Sequence, residues 1–71
     1  MEKQLYIKTS SGKKLYKISE TSATWYCYRY RTESFFGGWD AIGKARSMED
    51  ALAICKSHAT QYGSVHSVEF A

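Results

Sequence analysis

The sequence predicts a small α+β domain: a two-layer sandwich in which an antiparallel sheet of three to five strands carries one helix on one face, in the order β-β-β-β-α-β. Three observations lead there. Short runs of alternating apolar and polar residues recur through the first 45 positions, separated by Gly, Ser and Thr. From Met48 onward the periodicity switches to that of an amphipathic helix. At 71 residues, the chain is predicted to be a single domain, 1–71, whose core sits between only two layers.

Lys3 to Thr9 places Leu5 and Ile7 on one side and Tyr6 and Lys8 on the other, the pattern of a half-buried strand. Ser10, Ser11 and Gly12 supply turn chemistry, and Lys13 to Ser19 returns as a second hairpin arm, in which Leu15 opposes Tyr16 and Ile18 only loosely. Glu20 to Ser22 is a polar break. Ala23 to Thr32 is the strongest strand, because its aromatic residues suit a pleated surface and no strong helix former sits in its middle. Phe36-Gly37-Gly38 suits a reversal, since glycine reaches positive φ without steric penalty. Trp39 to Ala45 reads as a weaker fourth strand with Trp39, Ala41, Gly43 and Ala45 on one face.

Ser47 is placed to cap the next element, and Glu49 and Asp50 put negative charge on the positive end of a helix dipole. A helix over Met48 to Tyr62 carries Met48, Ala51, Leu52, Cys55, Ala59 and Tyr62 as its apolar stripe, with Gly63 as the C-terminal stop. Val65 to Phe70 forms a last short strand of undetermined direction. One helix cannot cover both faces of such a sheet, so the other face remains wet.

The run Trp25 to Arg31 indicates what that wet face carries. Tyr26, Tyr28 and Tyr30 share one side, and Trp25, Cys27, Arg29 and Arg31 share the other. Either set can face inward. Cysteine and Trp are the more buried types, and a Tyr hydroxyl tolerates water, which favours the tyrosines outward beside Tyr6 and Lys8. In either arrangement rings stand next to cations.

Charge is uneven along the chain. Residues 1–32 hold Lys3, Lys8, Lys13, Lys14, Lys17, Arg29 and Arg31 against Glu2 and Glu20, while residues 33–71 are net acidic. A basic half interleaved with rings suits a polyanion: rings stack bases, and lysines hold phosphates. The candidate binding residues are therefore Tyr6, Lys8, Lys13, Lys14, Lys17, Tyr26, Tyr28, Tyr30, Arg29 and Arg31. RNA-recognition sheets use aromatics on adjacent strands in this way, although no RNP-type pattern occurs here. The layout of a small sheet, one helix and a basic first half also resembles the arm-site DNA-binding domains of mobile-element integrases, in architecture and without shared motif residues.

The expected function is that of a non-enzymatic binding module for nucleic acid. The alternative is a protein-interaction module, of the accessory or inhibitor type found in phages and mobile elements, since Tyr, Trp and Arg also dominate protein interfaces. Self-association through an edge strand would make the monomer a homodimer. A purely structural tyrosine ladder, stabilised by cross-strand pairs, is the bland counterpart of both.

Catalytic chemistry finds little footing. No phosphate-loop, dinucleotide or HExxH motif occurs. Cys27, Cys55, His58 and His66 count out to four zinc ligands but lack the paired short spacings of structural sites. Cys55 and His58 lack an orienting acid for nucleophilic work. No cofactor or metal is expected. No run reaches the roughly 20 apolar residues that span a bilayer, and no leader is evident, which leads to an expectation of a cytoplasmic protein with reduced thiols and no membrane partner.

Overall fold

A computed structural model describes residues 1–33 and 35–71. Strands β1 (Glu2–Thr9), β2 (Gly12–Thr21), β3 (Thr24–Tyr30) and β4 (Trp39–Ala45) are followed by α1 (Met48–Ala59), a 3-10 turn (Thr60–Tyr62) and β5 (Val65–Phe70). The sheet runs β4-β3-β2-β1-β5, every neighbour antiparallel. The predicted β-β-β-β-α-β order therefore holds, and β5, whose direction was open, lies antiparallel to β1 at one edge.

Strict alternation builds the core. Leu5, Ile7, Tyr16, Ile18 and Cys27 point to the helix and are fully or almost fully buried. The helix answers with Ala51, Cys55 and Ala59, small side chains that let its backbone settle close to the sheet. Close approach is visible at Gly43, where an added Cβ would lie 3.2 Å from Ile54 Cγ2. Met48, Leu52, Ile54, Trp25 and Val68 close the margins of this core. Tyr16 is the largest fully buried side chain, and Leu15 faces strictly away from it, a firmer alternation than the loose one expected of this strand.

Two expectations about strands and one about the helix need correction. Trp39, Ala41, Gly43 and Ala45 do not share a face. Cys27 pairs with Gly43 but Tyr28 pairs with Ala41, so Ile42 is an extra residue in a β-bulge. The bulge flips the strand, leaving Trp39 and Ala41 on the open side and Gly43 and Ala45 under the helix. The third strand is also shorter than Ala23 to Thr32, because Ala23 lies in a turn and Arg31 and Thr32 begin the next loop. The α-helix stops at Ala59, and Tyr62 is reached by a tighter 3-10 turn. Ser47 caps as expected, accepting from the Asp50 backbone N–H at 3.1 Å.

The β2–β3 hairpin stores strain. Thr21 pairs with Thr24, so Ser22 and Ala23 make a two-residue loop, with φ of 51° and 61°. Positive φ at both positions is the demand of a type I′ turn, normally met by Asn-Gly. Alanine at a left-handed position costs about 1–2 kcal/mol, more than the added unfolded-state entropy of glycine, about 0.4–1 kcal/mol. Ala23→Gly should therefore stabilise the domain by about 0.5–1 kcal/mol. A higher urea midpoint at unchanged slope is the expected readout, and a lower midpoint would contradict the turn assignment.

Candidate functional site

Directly opposed residues on neighbouring strands share a face, so the register alone assembles the helix-free side. Tyr6 lies opposite Leu15, Lys8 opposite Lys13, and Gln4 opposite Lys17. Lys17 in turn lies opposite Tyr28, Tyr28 opposite Ala41, Tyr30 opposite Trp39, and Tyr26 opposite Lys44. All four of Tyr6, Tyr26, Tyr28 and Tyr30 thus stand on the open face, with Lys8, Lys13 and Lys17. Tyr6, Tyr26 and Tyr30 are exposed, and Tyr28 is half-buried between its neighbours.

The centre of this face is one lysine among rings. Lys17 Nζ sits 4.9 Å from the Tyr28 ring centroid and 4.6 Å from that of Trp39. Trp39 packs edge-to-face on Tyr30, centroids 5.1 Å apart. Lys13 Nζ lies 5.9 Å from the Tyr6 ring and 3.2 Å from Glu69 Oε2. The lysines are thereby held over ring faces rather than spread into solvent. Lys8 and Lys13, directly opposed, are an unfavourable pair that Glu69 partly relieves. Four lysines, Lys8, Lys13, Lys17 and Lys44, outnumber Glu2 and Glu69 there.

Three of the predicted contact residues fall elsewhere. Lys14, Arg29 and Arg31 alternate onto the helix side, so they cannot join a ligand lying flat on the tyrosines. Lys14 Nζ lies 4.6 Å over the Tyr62 ring. Arg29 donates to Glu33, to Asp40 Oδ2 at 3.1 Å and to the Tyr62 hydroxyl at 3.5 Å, and Arg31 pairs with Asp40 Oδ1 at 3.4 Å. Hydrogen bonding to Arg29 holds the Glu33 carboxyl below its usual range. These acids neutralise the arginines locally. Arg29 is held at the sheet because Asp40, opposite it on β4, offers a partner.

Trp39 and Lys44 belong to the open face but were not anticipated there. The bulge at Ile42 hid Lys44, whereas Trp39 opposite Tyr30 was accessible from a correct β3–β4 register. Phe35 and Phe36, 96% and 89% exposed, were also missed. Two consecutive phenylalanines beside a Gly-Gly turn were the available signal.

On the opposite side, Tyr16 Oη and His58 Nδ1 are 2.7 Å apart and share a hydrogen bond, while the Gln61 amide lies 3.0 Å from His58 Nε2. Burial, and then the Arg29 charge, pull the His58 imidazole below its ordinary value. With the folded value depressed, the unfolded chain takes up the proton first as pH falls. The His58 contribution to stability is thus complete above about pH 6.5 and declines below it, levelling off once the folded imidazole is also charged. Urea midpoints at pH 7.5 and pH 5 should differ in that sense in the wild type and converge in His58→Gln, to about the precision of the fits. An unchanged pH dependence in the variant would remove His58 as the source.

The thiols are inert by environment. Burial, followed by the charge of neighbouring Cys27, pushes Cys55 up to about 12, and burial also raises Cys27. Cys27 Sγ donates to the Ala51 carbonyl at 3.4 Å. Among the described residues, no group of three or more His, Cys, Asp and Glu side chains is arranged to hold a metal ion, and His66 lies apart on β5. Among the same residues, no helix is long and apolar enough to cross a membrane.

No family model, no curated protein and no solved structure matches this chain.

Proposed function

We propose that this domain is a non-enzymatic module that binds nucleic acid across the open face of its sheet. The observation that carries the reading is Lys17 set between Tyr28 and Trp39, at the centre of a face that also bears Tyr6, Tyr26, Tyr30 and three further lysines. Bases have π faces that stack on rings whatever their identity, and phosphates are held by the flanking ammonium groups. The opposed Lys8–Lys13 pair, costly in the free domain, gains a purpose if a phosphate lies between the two.

An NMR titration of the labelled domain with short single- and double-stranded oligonucleotides tests it. Amides of β1, β2 and β3 should shift at about 50 mM salt and return towards their free positions at about 200 mM. Four phosphate contacts imply a slope of log K against log salt of about −3 to −4. Absence of shifts at low salt would end the nucleic-acid reading. A protein partner that binds this face with little salt dependence, in place of oligonucleotide, would make the surface a protein interface.

A further inference from the structure

At one end of the sheet the strands part. Pairing of β2 with β3 ends at Tyr16 and Arg29, and the gap beyond is a cavity of about 260 Å³ lined by Lys13, Lys14, Arg29 and Tyr30, with Thr32 and Glu33 at its margin. Those last two residues form the foot of the β3–β4 loop, whose tip is Phe35-Phe36. Lys14 and Arg29, which contribute nothing to the flat face, thus reach the same opening as Lys13.

The tip is presented by a tied base. The Arg31 N–H donates to the Gly38 carbonyl at 2.7 Å, and the Arg31 guanidinium donates to the Gly37 carbonyl at 3.2 Å. The Thr32 N–H donates to Glu33 Oε2 at 3.2 Å, and Arg29 holds the same carboxylate. Gly37, at φ 65°, lies so close to the open face that an added Cβ would come within 2.5 Å of the Tyr30 hydroxyl. The loop therefore leans on Tyr30, itself packed on Trp39. Phe35 and Phe36 stand edge-to-face, centroids 5.2 Å apart and planes at 82°, and both are highly exposed.

We infer that Phe35 and Phe36 stack on unpaired bases of single-stranded nucleic acid, whose phosphates enter the cavity beside Lys13 and Lys14. This inference rests on the nucleic-acid reading and adds to it a strand end or opened strand as the preferred substrate, and a footprint centred on the loop end of the sheet. A ring pair beside a basic cavity joins the two contacts each nucleotide requires, one for the base and one for the phosphate. Intact duplex presents no unpaired base and binds less tightly.

Fluorescence anisotropy of a labelled oligothymidylate, of a mixed-sequence duplex and of phosphatidylserine vesicles, against wild type, Phe35→Ala/Phe36→Ala, Lys13→Ala/Lys14→Ala and Tyr28→Ala, tests the inference. The phenylalanine variant should bind the single strand about tenfold or more weakly, at unchanged thermal midpoint and unchanged salt slope. The lysine variant should lower the magnitude of the slope by about 1 to 2. If the phenylalanine variant binds like wild type while Tyr28→Ala is weakened, the loop inference is overturned and the sheet-face reading stands. If wild type binds neither nucleic acid at low salt, both fall. Vesicle binding that only the phenylalanine variant loses, with no oligonucleotide binding, would overturn the inference in favour of insertion into lipid.

Discussion

Tyr16→Ala is expected to remove about half or more of the stability of the domain. Tyr16 is 1% exposed and spans the two layers, its ring edge-on to His58 with centroids 5.6 Å apart and its hydroxyl bonded to His58 Nδ1. Truncating a buried aromatic ring costs about 3–5 kcal/mol, and leaving the imidazole without its partner adds about 1 kcal/mol. A chain of 71 residues has about 4–11 kcal/mol of stability to lose. Relaxation cannot refill the space, because the facing helix residues Ala51, Cys55 and Ala59 are already small and close to the sheet. Far-UV circular dichroism with urea titration should show the loss. Tyr16→Phe, which keeps the ring and removes only the hydroxyl, should stay folded and lose about 1–2 kcal/mol. A Tyr16→Ala midpoint close to that of wild type would mean that this ring does not bridge the layers.

Tyr28→Ala should have the opposite profile, weak on stability and strong on binding. Tyr28 is half-buried on the helix-free side, where the Lys17 ammonium lies 4.9 Å from its ring centroid. Loss of cross-strand and cation–π contacts there amounts to about 1 kcal/mol. Loss of a base-stacking ring costs about 1–3 kcal/mol of binding, a drop of about 5- to 150-fold in affinity for single-stranded oligonucleotide. Removal of the ring also frees Lys17 from one of its two aromatic neighbours, which loosens the phosphate contact that the lysine would make. Tyr28→Phe keeps the π face and should bind nearly as wild type does. Equal affinity of wild type and Tyr28→Ala would move the ligand off this face.

The two profiles separate because strand alternation sends Tyr16 and Tyr28 to opposite sides of one sheet, although both are tyrosines near the middle of their strands. That separation was legible in part. In β1 and β3 the apolar and aromatic periods are clean, and the outward placement of Tyr6, Tyr26, Tyr28 and Tyr30 follows from the burial preferences of Cys27 and Trp25. In β2 the residues Leu15 and Tyr16 are both apolar, so period alone does not say that Tyr16 enters the core. Register with β1, which sets Tyr16 opposite Leu5, decides it. In β4 no local residue announces the bulge at Ile42, because a bulge is a mismatch between two strands and not a property of one. The fate of the cations was the least legible. Lys17 and Lys14 are chemically identical and three residues apart, yet one lies between rings on the open face and the other over Tyr62 behind it.

What the amino-acid order determined by itself is local: the order of strands around one capped helix, a helix-free side, and tyrosines sharing one side of β3, with burial preferences favouring that side as the open one and the sheet register deciding it. Only the tertiary structure decided which charges remain available, by bringing Asp40 and Glu33 against Arg29 and setting Lys17 between two rings. It also decided that β2 and β3 part at one end, opening a basic cavity at the foot of the Phe35-Phe36 loop. Both outcomes depend on pairings between residues distant in sequence, and a pairing energy has no trace in the period of either strand alone.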